Sequence, residues 1–203
     1  MTGIVDYGVG NIFSLVSSLD MIGERATLAK DEKTLDGCDR VILPGVGAFG
    51  DAKKKLDDAG MGEAVIRQAK SGKPLLGICL GMQLLLDKSY EFGEHAGLGL
   101  IEGSVRPIAD VIPTGLPIPH IGWNALDFDT CELFRYIGRG DFVYFVHSFY
   151  CADCEKSVIA TTDYGAPLTA AIADGNVLGV QFHPEKSGRV GLSILRAFCE
   201  IKG

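Results

Sequence analysis

Short apolar runs rich in β-branched residues alternate along the chain with stretches whose apolar positions recur every three or four residues. The first pattern belongs to buried strands and the second to amphipathic helices. Gly3-Ile4-Val5-Asp6 predicts a strand that ends in the glycine-containing turn Tyr7-Gly8-Val9-Gly10-Asn11. Ile12, Leu15, Val16, Leu19 and Ile22 then line one face of a helix that Gly23 stops. Further strands are predicted over 25–28, 40–44 and 74–78, and helices over 51–58, 61–70 and 80–88.

This alternation implies an α/β fold: a mostly parallel, doubly wound sheet flanked by helices on both faces. Residues 98–130 are richer in proline and glycine and read as a loop-rich insertion or an antiparallel edge. Four more strands are predicted over 142–146, 157–161, 168–173 and 177–182, and a helix over 188–201 closes the pattern. No repeat, linker or charge block divides the chain, so a single domain over 1–203 is expected.

Composition narrows the function classes. With 47% hydrophobic and 22% charged residues, the chain can bury a core and is not disordered. A net charge of −7 argues against a nucleic-acid binder, which needs clustered cations to displace counterions. The longest apolar run, 74–86, is interrupted by Gly77, Gly81 and Gln83 and falls short of the ~20 residues of a membrane span. Met1 to Asp6 lacks the basic start and apolar core of an export signal, so a cytoplasmic protein is expected. Its six cysteines then read as free thiols. Cys151 and Cys154 have redox or zinc spacing but no second Cys or His pair nearby, so no metal is expected there.

The candidate chemistry concentrates at Leu75-Leu76-Gly77-Ile78-Cys79-Leu80-Gly81-Met82-Gln83. A predicted strand meets a predicted helix at Cys79, with glycines two residues away on either side. That is the spacing of a nucleophile elbow, with sulfur in place of the serine oxygen. The amide of Leu80 would then face a developing oxyanion. A buried structural cysteine between packing glycines fits the same residues equally well.

A cysteine nucleophile needs an imidazole to move its proton and a third group to orient that imidazole. Of the four histidines, only His183 combines a position directly after a predicted strand with a carboxylate, Glu185, two residues on. Strand ends at one edge of a parallel sheet are where such sites form. The second glycine loop, Pro44-Gly45-Val46-Gly47-Ala48-Phe49-Gly50, follows another predicted strand and could supply a second oxyanion donor. It lacks the Gly-Lys-Ser/Thr ending of a phosphate loop.

Gly77 to Gln83 and Gln181-Phe182-His183-Pro184-Glu185 together resemble the two hallmark segments of the class I, or triad, glutamine amidotransferases, whose fold is flavodoxin-like. Asp6 to Asn11 and Pro44 to Gly50 carry a finer resemblance, to the glutaminase subunits of imidazole glycerol phosphate synthase. Gly97 to Gly103, His120-Ile121-Gly122-Trp123-Asn124, Tyr144 to Ser148 and Lys186-Ser187-Gly188 support it. The resemblance implies that Cys79 is the nucleophile, His183 the acid and base, and Glu185 its orienting partner. It implies oxyanion donors at Leu80, Val46 and Gly47, and glutamine held by Gly45, Gln83, Glu91, His147, Ser148 and Phe149. It also implies a separate (β/α)8-barrel synthase subunit that receives ammonia, faced by Asn11, Trp123, Tyr144 and Lys186, and no cofactor. Two rivals remain: a glutaminase subunit serving another synthase, and a silent regulatory module. The intact set Cys79, His183 and Glu185 argues against the second.

Overall fold

The structure, a computed structural model, describes residues 1–202. The chain begins with β1 (Thr2–Val5), α1 (Ile12–Met21), β2 (Ala26–Ala29), α2 (Glu32–Asp36) and β3 (Arg40–Gly45). Next come α3 (Phe49–Asp58), α4 (Met61–Lys70), β4 (Leu75–Cys79), α5 (Leu80–Leu84), β5 (Leu86–Ser89), β6 (His95–Ala96) and β7 (Ile101–Pro107). The remainder is β8 (His120–Ala125), β9 (Asp127–Phe128), β10 (Phe142–His147), β11 (Phe149–Ala152), β12 (Val158–Asp163), β13 (Pro167–Asp174), β14 (Val177–Val180) and α6 (Gly188–Glu200).

The main sheet has eight strands in the order β2-β1-β3-β4-β14-β13-β12-β9. Strands β2 to β14 in that order run parallel, and the rest pair antiparallel. Residue alternation explains why both faces are covered. Ile4, Ile42, Leu76 and Ile78 pack with Leu15 and Leu19 of α1 and Ile194, Leu195 and Phe198 of α6. Val5, Val41, Leu43 and Leu75 point the other way, onto Phe49 and Leu56 of α3 and Met61 and Val65 of α4. Each such side chain, fully buried, contributes roughly 1.5–3 kcal/mol. Among the described residues no helix is long and apolar enough to cross a membrane.

The structure corrects the expected elements in three places. The helix predicted over 80–88 stops at Leu84, and the chain re-forms as β5. The carbonyls that would continue the helix are taken by other amides: Leu98 N–H donates to Leu84 O, Leu100 N–H to Leu85 O and Gly99 N–H to Leu86 O. Gly97 permits that approach, because a Cβ there would overlap the Leu86 carbonyl oxygen. Helix α2, not anticipated from the apolar pattern, is capped by Asp31, whose carboxylate accepts the Thr34 amide at 2.8 Å. The strand expected over 177–182 ends at Val180, which leaves residues 181–183 free to turn into the site. Residues 98–130 supply three strands: β7 joins a four-stranded sheet, β8 pairs with β10 alone, and β9 is the antiparallel edge of the main sheet.

Candidate active site

Three neighbouring parallel strands stop at one edge of the sheet. Gly45 at the end of β3 is in register with Cys79 at the end of β4, and Ile78 with Val180 of β14. The residues that follow each strand therefore meet there, although they are far apart in sequence.

Cys79 turns between β4 and α5 with φ 54° and ψ −112°, a region sparsely populated by residues with a side chain. Such a conformation costs about 1–3 kcal/mol and persists because its surroundings enforce it. Its neighbours must be glycine. A Cβ on Gly77 would lie 2.6 Å from the Gly81 carbonyl oxygen, and one on Gly81 would overlap the Leu43 carbonyl. A Cβ on Gly45 would meet the Gly81 nitrogen at 2.8 Å and Leu80 Cβ at 3.0 Å, so the elbow and the second glycine loop are in close contact.

His183 is fixed by a staple to β10. Its amide donates to Tyr144 O at 2.9 Å, while the Ser187 hydroxyl donates to His183 O at 2.6 Å and accepts the Tyr144 amide at 3.0 Å. Helix α6 closes beneath this turn, since a Cβ at Gly191 would overlap Pro184 O. The His183 ring donates from Nδ1 to Glu185 Oε1 at 2.8 Å, and the two side chains are 2% and 3% exposed. Burial opposes the charged imidazolium, but the Cys79 sulfur and the Glu185 carboxylate outweigh it and lift His183 to about 9. The other nitrogen, Nε2, is buried without a hydrogen-bond partner, so it is free to move a proton.

Cys79 and His183 border one cavity of about 650 Å³, together with Val46, Gly47, Leu80, Gln83, Glu91, His147, Ser148, Phe149 and Lys186. Gly45 and Asn11 line a small recess beside it, where they meet Glu185. Gln83 donates from Nε2 to Phe149 O at 3.2 Å. The Glu91 carboxylate accepts the Phe49 amide at 2.7 Å at the start of α3. Burial raises its pKa, and that amide partly offsets the rise. His147 donates from Nδ1 to Phe149 O at 2.8 Å. Burial pushes its pKa down to about 4, so the ring is neutral. His120, whose pKa burial also lowers, meets it at 3.0 Å and reaches Asn124 Oδ1 at 2.9 Å. Together these contacts hold the Ser148–Phe149 backbone against the cavity.

Trp123 and Tyr144 stand apart from the cavity, cross-strand neighbours on the β8–β10 ribbon. Their rings are 6.1 Å apart, and the Lys186 ammonium lies 5.7 Å from the Tyr144 ring centre. On the same ribbon Ile121, Trp123 and Phe142 are 57%, 52% and 55% exposed.

Three residues at the site had no predicted role. Tyr7, buried, donates to Pro44 O at 2.8 Å and so anchors the start of the second glycine loop. Gln181 and Ser187 lie inside the quoted motifs, but only their partners across the sheet reveal what they do. Among the described residues no group of three or more His, Cys, Asp or Glu could hold a metal ion.

The chain matches the family model for glutamine amidotransferase class-I over residues 4–201. It is 51% identical over 204 residues to the imidazole glycerol phosphate synthase subunit HisH of Wolinella succinogenes, covering 99% of this chain and 100% of that protein. To the subunit of the same name from Aquifex aeolicus it is 45% identical over 200 residues, covering 97% and 95%. A crystal structure described as a glutamine amidotransferase superposes with a TM-score of 0.76 at 20% identity, covering 98% and 97% of the two chains. The glutaminase domain of Trypanosoma brucei CTPS with bound acivicin gives 0.67 at 18%, covering 100% and 94%. At such identities these two structures establish the fold alone.

Proposed function

The chain belongs to the class-I glutamine amidotransferases, among the HisH subunits of imidazole glycerol phosphate synthase, and from that premise we propose that it is a glutaminase subunit feeding ammonia to a synthase. It acts as one domain over 1–203 in the cytoplasm. The observation that carries the reading is Cys79 on its strained elbow, sharing a cavity with the buried His183–Glu185 pair.

Glutamine enters the cavity and is held by Gly45, Gln83, Glu91, His147, Ser148 and Phe149. The buried Glu91 carboxylate suits the substrate ammonium. The Cys79 thiolate attacks the side-chain amide carbon, and the carbonyl oxygen takes the negative charge. The amide of Leu80 and those of the Val46–Gly47 loop receive that charge. One such donor is worth about 3 kcal/mol of barrier, or 10² to 10³ in rate. His183, charged and oriented by Glu185, protonates the leaving nitrogen from Nε2, and ammonia departs. The remaining γ-glutamyl thioester is hydrolysed by water, with His183 now acting as base, which yields glutamate and restores the Cys79 thiolate and the charged His183.

The partner is a (β/α)8-barrel synthase subunit that uses the ammonia to form imidazole glycerol phosphate and aminoimidazole carboxamide ribotide. The exposed ladder around Trp123 and Tyr144, with Asn11 and Lys186 at the cavity rim, is the docking face. Gly47 sits at φ 91°, a conformation that carries no Cβ penalty for glycine, and Val46 is exposed. A loop peptide whose N–H turns away in the free subunit would keep glutamine nearly inert until the barrel docks.

The test is Cys79→Ser in the complex with the barrel subunit and its nucleotide substrate. Glutamine turnover is expected to vanish while partner binding persists. Turnover at the unsubstituted rate would remove Cys79 from its role.

A further inference from the structure

We propose that Gln181 is a further catalytic residue: its side-chain amide donates to the Cys79 sulfur and steadies the thiolate for attack, with Gln83 setting which end of that amide faces the sulfur. The proposal rests on Cys79 being the nucleophile.

Gln181 lies one residue beyond β14, with its side chain fully buried. Its backbone amide donates to Ala170 O at 2.8 Å, which fixes the residue at the sheet edge. The side-chain Nε2 lies 3.7 Å from Cys79 Sγ, within hydrogen-bond reach of a sulfur acceptor, and Oε1 accepts Gln83 Nε2 at 2.9 Å. Turning this amide over would face Oε1 toward the sulfur and set two NH₂ groups against each other. Gln83 cannot turn over to accommodate it, because its own Nε2 also donates to Phe149 O at 3.2 Å. That carbonyl is held in turn by His147 Nδ1 at 2.8 Å.

The orientation is therefore passed along a row from His147 through the Phe149 carbonyl, Gln83 and Gln181 to the sulfur. His147, Gln83 and Gln181 are all buried, so water does not compete for these bonds. The opposite neighbour of the sulfur, Val146 O at 4.0 Å, is an acceptor and suits only the protonated thiol. An N–H donor on the other side suits the thiolate, both before attack and as the group that leaves when the thioester is hydrolysed. Because Gln83 and His147 also line the cavity, substrate contact and sulfur orientation share the same residues. A glutamine serving only to fill space would need neither the paired amides nor the sulfur contact, and a leucine would pack at lower desolvation cost.

The test compares Gln181→Met and Gln181→Glu with the unsubstituted chain, each in the complete complex with the barrel subunit. Glutamate keeps the size and the acceptor for Gln83 but sets a carboxylate against the sulfur. Iodoacetamide alkylation of Cys79 near neutral pH is expected to slow about tenfold in Gln181→Met and further in Gln181→Glu. The rates should converge in strongly alkaline buffer. The kcat for glutamine should fall about tenfold or more while KM stays within about threefold. Neither substitution alters His183, Tyr7 or Cys151, the other titratable groups that interact with the Cys79 charge.

Alkylation and kcat at the unsubstituted level in a folded variant would overturn the proposal. So would alkylation slowed equally at every pH with KM raised, the mark of a purely structural role. If Gln181→Met fails to fold, the isosteric Gln181→Glu decides by the same measures. Cys79→Ser run alongside separates the two readings: an inactive Cys79→Ser with unaffected Gln181 variants sinks only the role of Gln181, whereas an active Cys79→Ser sinks the premise.

Discussion

Replacing Glu185 with Gln removes one negative charge while keeping the size and the acceptor oxygen beside His183. The contact spans 2.8 Å between side chains that are 2% and 3% exposed, so solvent screens it little. His183 stands at about 9 against an ordinary 6.5. That excess corresponds to about 3 kcal/mol in favour of the imidazolium. Burial acts against it, and the Cys79 sulfur and Glu185 supply the gain. The Cys79 sulfur and Glu185 share that gain, so the variant loses on the order of 1 kcal/mol, and Tm falls by a few degrees. The folded value lies above the unfolded one, so this stability is fully present below 6.5 and is lost as pH rises through about 9. The Tm gap between parent and Glu185→Gln should therefore be widest near pH ~6 and close above pH ~9. In the glutaminase assay kcat should drop by about 10² to 10⁴, because the imidazole loses the charge that orients it and stabilises its protonated form. KM should change little, since Glu185 does not border the main cavity. A Tm gap that stays flat across this pH range, or a kcat within about threefold of the parent, would refute the reasoning.

Three further outcomes are expected. Gly81→Ala forces a Cβ into the Leu43 carbonyl and within 2.9 Å of its carbon, where only backbone can give way. Its cost of about 3 kcal/mol should lower Tm by about 6 °C or more, and an unchanged Tm in a thermal melt would contradict the packing described. Trp123→Ala removes a half-exposed ring from the apolar ladder, so stability should barely move. Binding to the barrel subunit, measured by titration calorimetry, should weaken about tenfold or more. Tyr7→Phe deletes the hydroxyl that donates to the buried Pro44 carbonyl at 2.8 Å. About 1 kcal/mol of stability should be lost in denaturant unfolding, and kcat should fall with KM unchanged, because Pro44 leads into the loop proposed to supply oxyanion donors.

Much of the site was legible before any coordinates. The glycines flanking Cys79 announce an elbow: at Gly77 the requirement is local to the turn, where a Cβ would meet the Gly81 carbonyl, whereas at Gly81 it comes from the Leu43 carbonyl on β3. His183 and Glu185 are two residues apart, so their pairing also needs only a local turn. The helix expected over 80–88 was misread for the opposite reason. Its apolar pattern is continuous, and what ends it is the Gly97–Ile101 segment arriving to take its carbonyls. Gln181 could be read as part of a motif but not as a donor to sulfur, since its partners Gln83 and Cys79 are 98 and 102 residues away.

By itself the sequence determined the wound α/β sheet and the two-sided burial of its strands, and it marked Cys79, His183 and Glu185 as candidates for cysteine chemistry. Periodicity and glycine placement are properties of neighbouring residues, and they survive being read one segment at a time. Only the tertiary structure decided which strand ends share an edge, that Ser187 staples the His183 turn to β10, and how Gln83 orients Gln181 toward the sulfur. Those arrangements depend on register between strands remote in sequence, which is set by the packing of the whole core and by no single segment.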